Sequence, residues 1–195
     1  ADTYIDSLRD QNVDYQITSV SSASPCPASP TYATRGDTAL RGSTVLSRGF
    51  TAAAGAWDDD LLGLALAVVD ASGSSGCLEG FRRAGANLEV VVVALGPSGA
   101  DVMTELNDLT AGASADVRIS ALVPTTGSCG TRADDYLSVA ATTSGATEDI
   151  CEPDWVSAFD AFAQMPGGSG VVRFPLSEVP VESTIEVEVG GVAHA

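Results

Sequence analysis

The sequence predicts an α/β domain organised around a doubly wound, mainly parallel sheet, and three features carry that expectation. Residues Asn87 to Leu95 form a nearly continuous apolar run rich in valine, as a strand covered on both faces requires. Asp116 to Val123 is a second segment of strand character. Around these runs lie stretches with helical apolar spacing, so strand and helix alternate along the chain as they do in α/β sheets.

Each element follows from local pattern. Tyr4, Ile5 and Leu8 stand at helical spacing within Ala1 to Gln11, and Asp14 to Val20 then alternates toward a strand. From Ser21 to Gly55 the chain is rich in Ser, Pro, Ala, Thr and Gly, with only Thr44-Val45-Leu46 suggesting a short strand. That stretch reads as a long irregular loop pinned by Cys26. After Trp57, the carboxylates Asp58, Asp59 and Asp60 crowd a helix start that runs from Leu61 to Val69 and ends in the loop Ala71 to Gly76.

Ser98 and Asp101 have capping-box spacing ahead of Val102, Met103, Leu106 and Leu109. Thr131 and Asp134 repeat that spacing before Tyr136, Leu137, Val139 and Ala140, and Gly145 suits a left-handed helix exit. Pro153 fits a first helical turn, with Trp155, Phe159 and Phe162 on one face, before Gly167 and Gly168 stop the helix. Val171 to Phe174 and Ile185 to Val189 close the chain as two short strands. The expectation is one domain over residues 1–195, with 21–56 as its long loop and 170–195 as closing strands and tail.

Charge and composition narrow the partners. The net charge is −17 and arginine is the only strong base, since the chain has no lysine. Such a field repels nucleic acid and anionic membrane surfaces. No apolar run approaches the length that spans a bilayer, and Ala1 to Asp10 lacks the basic start and apolar centre of a signal peptide. An exported protein would already have lost its signal. The four cysteines, Cys26, Cys77, Cys129 and Cys151, include no C-x-x-C pair, which removes the main support for zinc-ribbon or thioredoxin-like readings. Two disulfides formed in an oxidising compartment are expected, the alternative being small buried thiols that pack as apolar groups.

Catalytic readings lack their residues. A P-loop needs a lysine for the phosphates, and there is none. The strand ending at Leu95 leads into Gly96-Pro97-Ser98-Gly99, which is not the dinucleotide-binding glycine pattern. A serine triad needs a histidine base, yet the one histidine, His194, is next to the last residue and no Gly-x-Ser-x-Gly is present. The pairs and runs of carboxylates at Asp58-Asp59-Asp60 and Asp134-Asp135 read as solvent-facing charges at helix starts rather than as calcium ligands or acid-base groups.

One short motif points elsewhere. Val68-Val69-Asp70-Ala71-Ser72-Gly73-Ser74 resembles the Asp-x-Ser-x-Ser sequence with which von Willebrand factor A domains hold magnesium or manganese, and its oxygens suit a hard cation. Leu61, Leu62, Ala65, Leu66 and Val69 also fit helical spacing, which makes the same residues a Ser/Gly-rich helix exit.

A wider resemblance to that family places the segment in a helix. Asp14 to Val20 is similar to the family's second strand and Leu61 to Asp70 to the helix after a long loop. Gly80-Phe81-Arg82-Arg83 followed by Leu88 to Val93 looks like a stretch of the exported bacterial members. Val117 to Val123, Cys129, Tyr136 to Ala140, Gly145, Ile150-Cys151, Asp154-Trp155, Phe174-Pro175-Leu176 and Thr184 to Val187 follow in the family's order. The resemblance implies a Rossmann-like sheet, with Cys26 bonded to Cys77 and Cys129 to Cys151.

It also implies departures. Under this alignment the chain starts inside the first helix, so the family's first strand and the metal-binding serines after it are missing, and Ala94 to Gly99 replaces an acidic loop. Too few oxygens remain for a tight divalent site. The expected protein is a secreted or cell-surface, non-enzymatic adhesion or protein-protein interaction module without cofactor, acting through a protein partner or self-assembly. Two alternatives stand beside it. One is a subunit of an extracellular filament or assembly completed by a partner's strand; the other is a magnesium- or calcium-dependent binder using Asp70, Ser72 and Ser74.

Overall fold

The computed structural model describes residues 2–11, 13–21, 25–27, 29–51, 60–164, 187–189 and 192–194. In chain order its elements are α1 (Asp2–Asp10), β1 (Gln16–Ile17), β2 (Ala33–Thr34), α2 (Ala39–Thr51), α3 (Leu61–Ala71), β3 (Leu88–Val93) and α4 (Val102–Ala113). There follow β4 (Val117–Val123), α5 (Asp134–Thr142), β5 (Thr147–Asp149), α6 (Trp155–Gln164), β6 (Val187–Val189) and β7 (Val192–His194).

The valine run pairs as its composition demands. β3, β4 and β5 form a three-stranded sheet in that order, both pairings parallel. β3 lies along β4 from Leu88 opposite Val117 to Val93 opposite Leu122. Side chains alternate between the faces of a strand, and each face meets its own core. Val92, Ile119, Ala121 and Val123 pack with Leu62 of α3, Leu106 and Leu109 of α4 and Tyr136 of α5. Leu122 packs on the other face with Tyr4, Ile5 and Leu8 of α1 and Phe162 of α6. The architecture is therefore mixed α/β, a parallel sheet flanked by helices. Burying one such aliphatic or aromatic side chain stabilises the fold by about 1.5–3 kcal/mol.

Helix ends differ in detail from the sequence expectation. Asp60 is the N-cap of α3, its Oδ1 accepting from Gly63 N–H at 2.6 Å. At α4 the cap is Asp101 rather than Ser98, accepting from the Met103 and Thr104 amides. A short Asx cap satisfies these orphan donors without a second residue, and Ser98 Oγ instead accepts from Ala100 N–H. α5 has Ala133 at its N-cap with no side-chain cap, so Thr131 does not serve. Pro153 precedes the start of α6, where Asp154 Oδ1 accepts from Val156 N–H.

Gly145 is needed for space, not for handedness. The left-handed residue after α5 is Ser144, with φ 58°. A Cβ on Gly145 would overlap the Ile119 carbonyl, because the turn into β5 passes directly over β4.

The largest correction concerns residues 21–56. Thr44-Val45-Leu46 is helical, part of α2, although the stretch carries Ser, Thr and Gly that weaken helix propensity. Packing overrides propensity here. Val45 is 2 % exposed, Leu46 joins the core of α1 and α6, and Gly42 lies so close that an added Cβ would stand 2.9 Å from Ile5 Cδ1. The strand expected over Asp14 to Val20 shortens to Gln16–Ile17, paired antiparallel with β2, a strand the Ser/Pro-rich composition concealed. Short β5 was equally concealed.

The closing strand expected over Ile185 to Val189 is described at β6, which pairs antiparallel with β7. The backbone of His194 belongs to β7. Trp57, Asp58, Asp59, Gly167, Gly168, Val171 to Phe174, Phe174-Pro175-Leu176 and Thr184 to Glu186 lie outside the described residues.

Candidate functional site

The Asp-x-Ser-x-Ser residues sit at a helix end. Asp70 is within the last turn of α3 and exposed, Ser72 is the C-cap, and Ser74 lies in the turn beyond. Ser72 Oγ donates to the Val69 carbonyl at 2.6 Å, and Gly73 N–H donates to the Asp70 carbonyl. These bonds belong to a helix exit, and they commit the Ser72 hydroxyl to the Val69 carbonyl. Among the described residues no group of three or more His, Cys, Asp and Glu side chains is placed to hold a metal ion.

The cysteines are brought together as the resemblance implies. Cys26 is bonded to Cys77 and Cys129 to Cys151, with Cα atoms 5.7 and 5.5 Å apart. The first bond fastens the Ser/Pro-rich segment to the turn after α3. The second joins the loop after β4 to the end of β5, where the Asp149 carboxylate accepts from Thr125 Oγ1 and from Cys151 N–H. Those bonds hold the Asp149 carboxyl below its ordinary range.

Two helix N-termini meet near the same end of the sheet. Asp60 and Asp101 cap α3 and α4, and Glu105 of α4 reaches the Asp60 carboxylate. Partial burial, together with the Asp60 and Asp101 charges, pushes the Glu105 carboxyl up to about 7.

Among the described residues, a groove of about 570 Å³ runs along the outer edge of β3. β3 stands, among the described residues, at the end of its sheet, paired with β4 alone. Leu88 N–H donates to the Asp116 carbonyl and Ala94 N–H to the Leu122 carbonyl. Because parallel strands use alternate residues toward one neighbour, the amides and carbonyls of Glu89, Val91 and Val93 turn to the opposite edge. That edge lines the groove.

The far wall is β1 and its flanks, from Asp14 to Ser21. Arg35 N–H donates to the Tyr15 carbonyl, and Gln16 stands opposite Thr34. The antiparallel alternation then turns the Gln16 backbone away from β2 and toward the groove. Gln16 Oε1 is buried without a hydrogen-bond partner. Tyr4, Leu8 and Phe159 line one face of the groove, and Leu61, Leu64 and Ala65 of α3 the other.

One polar cluster stands in this wall. Glu89 Oε2 accepts from Arg118 Nη2 at 2.8 Å and Oε1 from Ser120 Oγ at 3.2 Å. Burial raises the Glu89 carboxyl, with Arg118 and Ser120 opposing that shift. Burial likewise raises the Tyr4 phenol, and the Glu89 charge adds to it.

Comparison with known proteins gives no matching family model, no similar curated protein and no similar solved structure. Residue patterning alone did not place the groove, because its walls come from segments more than seventy positions apart, such as Gln16 and Val91. One signal did point to it. A run apolar on both faces belongs inside a sheet, whereas among the described residues it pairs with β4 alone.

No helix among the described residues is long and apolar enough to cross a membrane.

Proposed function

We propose that the chain is a non-enzymatic, extracellular von Willebrand factor A-like module that acts through protein-protein contact, in adhesion or assembly. The observation that carries this reading is the sheet arrangement: a parallel β3-β4-β5 order flanked by helices, an antiparallel β1-β2 pair, and a groove lined by residues of β1 and β3. A parallel sheet flanked by helices is compatible with such a fold. The two disulfides support an oxidising, extracellular setting. Asp70 inside a helix supports binding that does not depend on a divalent ion. Among the alternatives, the assembly reading gains most, because the groove offers a seat for a partner's strand. Fold alone does not define function, so the test must read contact and turnover separately.

The secreted protein is to be crosslinked in its native medium and its partners identified by mass spectrometry, while purified chain is assayed against esterase, peptidase and glycosidase substrates. A defined crosslinked protein with no turnover is the expected result. Turnover, or recovery of uncrosslinked chain alone, would overturn the reading.

A further inference from the structure

We propose that Asp60 and Glu105 form a proton-operated clasp between the N-terminal turns of α3 and α4, closed when the two carboxyls share one proton and released when both are ionised. The clasp goes beyond the interaction-module reading and stands whether or not that reading holds.

Its parts follow from where the helices begin. Asp60 caps α3, its Oδ1 accepting from Gly63 N–H at 2.6 Å and its carbonyl from Leu64 N–H at 3.2 Å. Asp101 caps α4 by accepting from the Met103 and Thr104 amides, and Glu105 stands one turn further along. The positive ends of two helix dipoles draw carboxylates to this corner, and the packing of α3 on α4 brings them together. Glu105 is half-buried, and its Oε2 is buried without a hydrogen-bond partner, although the Asp60 carboxyl is within reach. Two ionised carboxylates have acceptors only. One proton held between them supplies the missing donor, as in other carboxyl pairs whose full ionisation at close range is disfavoured.

The neighbouring charges have the same sign. Those acting on Glu105 are Asp60 and Asp101. From α5, Tyr136 faces this corner, its hydroxyl accepting from Leu61 N–H at 3.4 Å and feeling the charges of Asp135 and Glu105. Asp135 accepts from Ser98 N–H in the loop after β3, and Arg132 is turned to Asp134 at 2.7 Å. Residues 52–59 include Asp58 and Asp59 and no base.

Partial burial and the acidic neighbours raise the Glu105 carboxyl from 4.5 to about 7. A proton bound more tightly in the closed form favours closure in acid, and that contribution is lost as pH rises through about 7. Leu61 and Leu64, in the turn that Asp60 holds, line the groove beside β3, so pH sets how firmly that wall is held.

The test follows the Gly63 and Leu64 amides of the full chain by hydrogen exchange from about pH 5 to about pH 8.5, as protection relative to the intrinsic rate at each pH. Protection is expected to fall at least about tenfold over that range, while the Ala121 amide, bonded to the Ala146 carbonyl in the sheet, keeps its own. Glu105→Gln places a permanent donor against Asp60 and is expected to leave Gly63 equally protected at both ends of the range. Asp60→Asn keeps the cap but removes the acid pair, and should give the same pH independence. Asp58→Asn combined with Asp59→Asn is expected to retain the parent's pH dependence. The Glu105 carboxyl carbon of the parent, followed by NMR, is expected to titrate at about 7.

Gly63 protection that does not change with pH in the parent overturns the proposal. So does a pH dependence that survives in Glu105→Gln, one that is lost when Asp58 and Asp59 alone are replaced, or a Glu105 carboxyl that titrates at its ordinary value. Should Glu105→Gln misfold, the carboxyl titration of the parent still decides.

Discussion

Glu89 and Arg118 stand directly opposite each other on β3 and β4, and their side chains form an ion pair of 2.8 Å on the face covered by α1. Their side chains are 20 % and 14 % exposed, so the pair is largely withdrawn from water, and Ser120 Oγ completes the shell of the carboxylate. Ser120 Oγ in turn accepts from Ala146 N–H, which ties the pair to the start of β5.

Breaking such a pair from one side leaves a buried charge alone. Arg118→Met is expected to lower stability by about 3 kcal/mol, whereas Glu89→Leu combined with Arg118→Met should return to within about 1 kcal/mol of the parent. Urea denaturation of the three variants measures both. A double variant as unstable as Arg118→Met would show that the pair holds the sheet rather than merely tolerating burial.

Stability should fall between about pH 4.5 and about 7 through Glu105. Its carboxyl is raised from 4.5 to about 7 by burial and by Asp60 and Asp101. A group whose folded pKa exceeds its unfolded value binds its proton more tightly when folded, so its contribution is present below the unfolded pKa and lost as pH rises through the folded one. Glu89 has the same sign; Asp37 and Asp149, lowered by hydrogen bonds, add stability above the unfolded range and lose it in acid. Melting temperature against pH for the parent and Glu105→Gln checks this, the variant being expected to decline less. Asp60→Asn keeps a capping side chain and should bring the Glu105 carboxyl down.

The disulfides should contribute unequally. Bonds closing 22 and 51 residues of sequence separation remove about 3.4 and about 4 kcal/mol of unfolded-chain entropy respectively. Replacing Cys26 and Cys77 by serine is therefore expected to cost slightly more than replacing Cys129 and Cys151. Denaturation midpoints of the two double variants compare them, and a reversed order would mean that native packing around Cys129 outweighs loop closure.

Two glycines should respond very differently to alanine. Gly145→Ala places a Cβ against the Ile119 carbonyl and is expected to destabilise by more than about 3 kcal/mol, as backbone overlap does. Gly96 has no heavy atom within 4 Å of its would-be Cβ. Gly96→Ala should stay within about 0.5 kcal/mol of the parent, and thermal unfolding of both variants gives the comparison.

Calorimetry with magnesium, manganese and calcium checks the helix-exit reading of Asp70. Asp70 lies in α3 and the Ser72 hydroxyl is committed to the Val69 carbonyl, so affinity no tighter than millimolar is expected, unchanged in Asp70→Ala. A micromolar signal lost in that variant would favour the metal-dependent alternative.

The sequence by itself determined the elements whose signal is local and dense. The valine run of β3, the strand Val117–Val123, and the helices α3, α4, α5 and α6 declared themselves because double-sided burial and helical apolar spacing are written in neighbouring residues. Tertiary structure alone decided the rest. α2 is helical because Val45, Leu46 and Gly42 fit against α1 and its neighbours, and β2 and β5 exist because strands at hand offered partners to segments too short to propose themselves. The groove is the clearest case. Its walls are backbone edges from distant parts of the chain, and a backbone edge has the same chemistry in every residue, so no local pattern can announce where two of them will face each other.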